Sequence, residues 1–300
     1  MTGRRLPAAL ALAASLVGCT SGSLTAAPTV TPTATATVTP TPSPTISPTP
    51  LPTPTRGGTF PVVRLGDARL PDHTILRPRN APFPLPIIVW GNGGCRTTNQ
   101  EHTGYLRALA SLGYLVIAYG APATPFDPTK PEPLIERPQA MLAAIDWAIN
   151  ENSRDGSPLE GRIDTSHIVV MGQSCGASEA LVASRDPRVS ATLAFDRGGS
   201  TDRLHAPVLF WTGGAGDGGT RSARVAYDAL TVPAVFVVKS DAGHIGPWHD
   251  PGLQAAAIDV TRRWLDLTLY GDTAARGYLI GPGCGLCGRA TYTVQSKGWG

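Results

Sequence analysis

The folded part of this sequence predicts an α/β domain: a mostly parallel, twisted sheet of about eight strands with helices on both faces. Two observations point to it. Short apolar runs alternate with segments of helical period, the pattern of parallel strands joined by crossover helices. The stretch 57–300 is also the right size for one such domain.

Taken in order, strands are expected at 61–65, 74–77, 86–90, 115–119, 167–171, 192–195, 207–211 and 234–239. Helices fall between them. The segment 101–112 stops at Gly113, a suitable C-terminal glycine. In 138–150, Met141, Ile145, Ala148 and Ile149 form one apolar stripe, and in 253–270 Leu253, Ala257, Val260, Trp264 and Leu267 form another. Both read as core-facing. Ligands of such sheets bind beyond the carboxyl ends of the strands, so polar residues directly after a strand are the functional candidates.

Residues 1–19 read as a lipoprotein-type signal peptide. Arg4 and Arg5 precede an apolar run too short to span a bilayer. Leu16-Val17-Gly18-Cys19 resembles the lipobox of bacterial lipoproteins, in which the cysteine is lipidated; the resemblance implies a protein tethered to the bacterial cell envelope through Cys19. A plainly secreted protein is the alternative. Residues 20–56 are almost only Thr, Pro, Ala, Ser and Val, a composition that builds no core and favours an extended spacer. At ~3.1 Å per residue it would reach on the order of 100 Å. Charge excludes one class of partner. With 25 Lys and Arg against 22 Asp and Glu and no basic run in the folded part, nothing points to nucleic acid.

Chemistry concentrates at Gly172-Gln173-Ser174-Cys175-Gly176, a G-x-S-x-G pattern. Its context is a buried-strand run before it and the helix-forming Ala177-Ser178-Glu179-Ala180-Leu181 after it. A sharp strand-to-helix bend holds its central residue out, and needs small neighbours where strand and helix approach. Gly172, Gly176 and Ala177 supply them, which makes Ser174 the candidate nucleophile. The new helix N-terminus offers N–H groups to a developing negative charge.

A serine hydroxyl needs a base. Of six histidines, His167 lies at the start of its strand and His205 before its own, both at the wrong end, His73 sits at an early strand, His102 opens a helix and could line the pocket, and His249 lies farther along a loop. His244 directly follows a strand within a glycine-flanked loop, so it is the expected base. The orienting acid should fall between serine and histidine in the chain. Asp217, after the 207–211 strand, is favoured; Asp196, after the 192–195 strand, stays open as its rival. Asp217 could instead serve as a turn residue capping the next helix. The loop Gly91-Asn92-Gly93-Gly94-Cys95 ends another strand, and there the N–H of Gly93, with Asn92 beside it, could join the Cys175 N–H in an oxyanion hole.

These residues resemble the α/β-hydrolase superfamily. More narrowly, the chain resembles secreted serine hydrolases of the dienelactone hydrolase, chlorophyllase and polyester-hydrolase neighbourhood. GNGGC, GQSCG, the Gly213–Asp217 loop, Asp241–His244 and the C-terminal CGLC carry the resemblance. It implies an α/β-hydrolase fold without a large lid and a Ser174-His244-Asp217 triad working through an acyl-enzyme, with neither metal nor cofactor. Dienelactone hydrolases proper use cysteine where this chain has Ser174.

Cys95, Cys175, Cys284 and Cys287 are the cysteines outside the lipobox, and outside the cytoplasm disulfides are expected. Sequence leaves three pairings open. The position of Cys95 and Cys175 beside both proposed hole donors favours joining them, which leaves Cys284 to Cys287.

The expected partner is a small-molecule or polymeric ester, with Trp90, Trp211, Trp248 and Phe126 as possible apolar walls of its cleft. Acyl transfer or peptide cleavage could run on the same triad, and a non-catalytic envelope protein could retain the scaffold. Oligomeric state is not legible.

Overall fold

Nine strands form one sheet in the computed structural model, which describes residues 59–129 and 132–300. They are β1 (Val62–Asp67), β2 (Leu70–Pro78), β3 (Leu85–Gly91), β4 (Leu115–Tyr119), β5 (Ile163–Gln173), β6 (Ala191–Phe195), β7 (Val208–Thr212), β8 (Ala234–Lys239) and β9 (Tyr292–Lys297). The order is β1-β2-β4-β3-β5-β6-β7-β8-β9. From β4 to β8 every pairing is parallel; β1, β2 and β9 join antiparallel at the two sides. This is the α/β-hydrolase architecture the sequence predicts, with one strand more. The additional strand, β9, pairs with β8 from Ala234↔Lys297 to Lys239↔Tyr292.

Burial explains the parallel centre. Strands β3, β6 and β7 are buried at every position, as strands covered on both faces must be. On one face, α1 (Thr103–Ser111), α6 (Pro251–Tyr270) and α7 (Thr273–Leu279) pack Leu106, Leu109, Val260, Trp264 and Leu279 against Ile88, Val169, Leu193 and Val235. Helices α2 (Pro138–Ser153), α3 (Cys175–Ala183) and α4 (Thr220–Ala229) cover the other, over Ile87, Val170, Ala194 and Phe210. Both predicted stripes face the core, with Ile149 and Leu253 only partly buried. Local signals set the helix ends. Pro138 opens α2, Asp250 accepts the Leu253 N–H at 2.8 Å to cap α6, and Gly271 closes α6 at φ 64°.

One long connection, 120–137, leaves β4 at the carboxyl end of the sheet. Its described residues form neither helix nor strand, and side chains strap it to the loop after β3. Glu132 accepts the Thr97 N–H at 2.8 Å, the Thr98 hydroxyl donates to the Thr124 carbonyl at 2.8 Å, and the Arg137 guanidinium donates to the Cys95 carbonyl at 2.9 Å. Cys19 and the Thr/Pro-rich stretch 20–56 lie outside the described residues.

Candidate active site

Strand β5 runs directly into α3, and the whole reversal falls on Ser174, at φ 53° and ψ −110°. A positive φ in a residue with a side chain costs free energy and persists only where its surroundings enforce it. Here close packing does so. A Cβ on Gly172 would lie 2.2 Å from the Gly176 carbonyl oxygen, and one on Gly176 would lie 2.1 Å from the carbonyl of Gly91. Strand, helix and the end of β3 therefore meet backbone to backbone. The Ser174 N–H donates to the Phe195 carbonyl at 2.9 Å, and the Gly176 N–H to the Asn92 carbonyl at 3.0 Å. Ser174 is partly exposed between buried Gln173 and Cys175. As the first residue of α3, Cys175 has an N–H with no acceptor inside the helix.

Asp217 follows β7 through a short 3-10 turn, Gly214–Gly216. Its carboxylate accepts four donors: the His244 Nδ1 at 2.6 Å, the Gly219 N–H at 2.8 Å, the Gly213 N–H at 3.1 Å and the Thr220 hydroxyl at 3.2 Å. Burial by itself pushes this carboxyl up, but the hydrogen bonds from His244, Gly219 and Gly213 and the nearby imidazole outweigh it and hold Asp217 below the usual carboxylate range. The pairing and capping roles are not alternatives, since one carboxylate holds His244 and ties the start of α4. With Nδ1 donating to Asp217, the imidazole presents Nε2 as its acceptor.

Two contacts join the loops. A Cβ on Gly213 would sit 2.0 Å from the Gly243 carbonyl oxygen, and the Gly243 N–H donates to the Gly213 carbonyl at 3.1 Å. The loops after β7 and β8 are thus in direct backbone contact. Gln173, immediately before Ser174, donates its side-chain amide to the His244 carbonyl at 3.1 Å. The elbow and the histidine loop are held against each other through that amide. Asp196, the rival acid, is fully buried at the end of β6 with φ 58°. It lies beside Asp217, and the His244 ring bonds to Asp217 instead.

The loop after β3 closes the far side. Gly93–Cys95 makes a 3-10 turn with Gly94 at φ 62° and Cys95 at φ 52°. Asn92 anchors it by donating its amide to the Tyr119 carbonyl at 2.8 Å and the Arg96 carbonyl at 3.0 Å. Gly93 packs on the Gln173 side chain so closely that a Cβ there would lie 1.9 Å from Gln173 Oε1. A disulfide joins Cys95 to Cys175, tying this loop to the residue after Ser174; a second joins Cys284 to Cys287.

Some expected wall residues lie elsewhere. Trp90 and Trp211 are fully buried inside β3 and β7, and Trp248 is almost so. They meet one another, Tyr105 and Phe195 in tilted or edge-on ring contacts within the core. His102 is in the same cluster, its ring centre 4.9 Å from Trp248 and 5.1 Å from Trp90. Burial, with smaller contributions from His249 and Arg96, pushes its pKa down to about 3, so it is a neutral packing residue. Phe126 stays at the surface under the Arg96 guanidinium. Sequence reasoning missed Gln173 and Arg137, whose roles depend on contacts 71 and 42 residues away.

Comparison with known proteins places the chain in a family. The chain matches the PET hydrolase-like family over residues 88–241, about half its length. That span runs from within β3 past the end of β8, containing Ser174 and Asp217 and stopping just before His244. The chain is also similar to "Hydrolase ORFZ" of Pyricularia oryzae, 30% identical over 135 residues, which is 44% of this chain and 31% of that protein. It spans about a third of that relative's length. With its mostly parallel sheet and crossover helices, the chain belongs to the PET hydrolase-like family of hydrolases, on an α/β-hydrolase fold.

Proposed function

We propose that this protein is an extracytoplasmic serine hydrolase of carboxylic esters. One observation carries the reading: a partly exposed serine at a strained strand-to-helix turn, beside a loop whose histidine donates to a buried aspartate at 2.6 Å. In this mechanism Ser174 attacks the ester carbonyl while His244 Nε2 takes its proton. Asp217 keeps the tautomer and stabilises the imidazolium without accepting the proton. The oxyanion rests on the Cys175 N–H and an N–H of the Asn92–Gly93 segment. His244 then protonates the leaving alcohol, and the same groups activate water to release the acyl chain. These steps require neither metal nor cofactor.

Ile245, next to His244, is exposed, as are Leu134 and Ile135 on the strap, apolar side chains that an acyl or aromatic group could meet. This supports esters with acyl or aromatic groups, polymers included. Two disulfides suit an oxidising compartment, and the signal-like start with Cys19 supports export and lipid anchoring.

The test uses short p-nitrophenyl esters with wild type and Ser174→Ala, each checked for fold by circular dichroism. Turnover in the wild type and a loss of at least ~10³-fold in the variant are expected. Equal turnover in both would remove Ser174 from the chemistry.

A further inference from the structure

Asp196 has no place in the mechanism above, yet it is among the most enclosed groups of the molecule. It is 0% exposed, its backbone is in the left-handed region, and a Cβ on Gly219 would lie 1.6 Å from its carbonyl oxygen. Neither side-chain oxygen has an N–H or O–H donor within hydrogen-bond geometry. Asp217 is the strongest polar influence on it, with the Gln173 amide and the Gly213 N–H acting more weakly.

Two carboxyls buried side by side cannot both ionise cheaply. The one with donors keeps the charge. Asp217 has four, including His244; Asp196 has none of comparable quality. A proton shared by the pair therefore belongs on Asp196. A protonated carboxyl has one O–H to donate, and a buried O–H needs an acceptor. The adjacent acceptor is the Asp217 carboxylate.

Resting on the triad reading, we propose that Asp196 is a positioning residue: a neutral carboxylic acid that donates its O–H to the Asp217 carboxylate and so fixes that carboxylate toward His244. No proton leaves Asp196 during the reaction. Burial and the neighbouring carboxylate both raise its pKa well above the ordinary carboxylate value, in keeping with a neutral acid at neutral pH.

The experiment pairs a spectroscopic readout with kinetics on the full folded chain. Infrared spectra at pH 7 should show the carbonyl stretch of a protonated carboxylic acid that disappears in Asp196→Asn. This readout does not depend on turnover, so it stands even if the esterase reading fails. Glu179 is the other carboxyl raised by burial, and a band that survives in Asp196→Asn would belong to it. In kinetics with a p-nitrophenyl ester, Asp196→Leu should lose about 10- to 100-fold in kcat at nearly constant KM, the worth of one hydrogen bond to a charged group. The Asn amide can donate an N–H in place of the O–H, so Asp196→Asn should recover most of that loss. Absence of a band assignable to Asp196, or an Asn variant as impaired as the Leu variant, overturns the proposal.

Discussion

Replacing Cys95 and Cys175 by serine tests how the site is held. The bridge closes a loop with a sequence separation of 80 residues, whereas Cys284–Cys287 spans only 3. The chain-entropy relation gives about 4.5 kcal/mol for the first and about 1.6 kcal/mol for the second. A domain of about 240 residues unfolds with an entropy near 0.5 kcal/mol/K, so the expected losses are about 9 °C and about 3 °C in Tm. The long bridge also anchors the loop of Asn92 and Gly93 to Cys175, whose amide is the proposed oxyanion donor. Its loss should lower kcat about 10- to 100-fold, less than the ~10²–10³ cost of deleting a donor outright. Cys284→Ser/Cys287→Ser serves as the control and should keep kcat. Calorimetry with and without reductant gives the Tm values, and p-nitrophenyl butyrate hydrolysis gives kcat. Equal Tm losses for the two pairs would refute the loop-entropy reasoning. An unchanged kcat in the Cys95/Cys175 variant would show that the bridge does not align the hole.

Gly176→Ala places a Cβ against the carbonyl of Gly91, backbone that cannot yield; a loss of at least about 4 kcal/mol in urea unfolding is expected, and a loss below 1 kcal/mol would mean that strand and helix can separate there. Asp196 adds a pH dependence. Its pKa is raised on folding, so above about 3.8 the unfolded chain releases a proton that the folded chain keeps, and this group destabilises the fold as pH rises toward its folded pKa. Asp196→Asn should therefore gain on wild type by up to about 1.4 kcal/mol per pH unit within that window, measured by denaturant unfolding from pH 4 to 8; a difference independent of pH would refute it.

What sequence reveals here follows from how local each feature is. The elbow is legible because its glycines, its serine and the flanking strand and helix lie within a few residues of each other. His244 is picked out as a candidate by a topological rule, that functional groups follow strands directly, and Asp217 by chain order. Strand β9 escaped because it lies at the side of the sheet with Thr293 and Gln295 exposed, leaving only Tyr292 and Val294 as an apolar signal. The tryptophans depart from the sequence expectation for a different reason. Trp90 and Trp211 occur near strand ends in the sequence, but they belong to the strands themselves, and β alternation turns them under α1 and α6. His102 follows them into the same layer. Gln173 and Asp196 carry no sequence signal for what they touch, because their partners come from other loops.

The meeting of Gly213 with Gly243 also bears on how such an enzyme could be redesigned. Because the two loops touch through main-chain atoms, an insertion in either one displaces the other, and acid and imidazole shift together. Engineering new selectivity by lengthening those connections would damage proton transfer. The strap between β4 and α2 carries no acid or base of the proposed triad, so it is where additional recognition could be built while the chemistry is left in place.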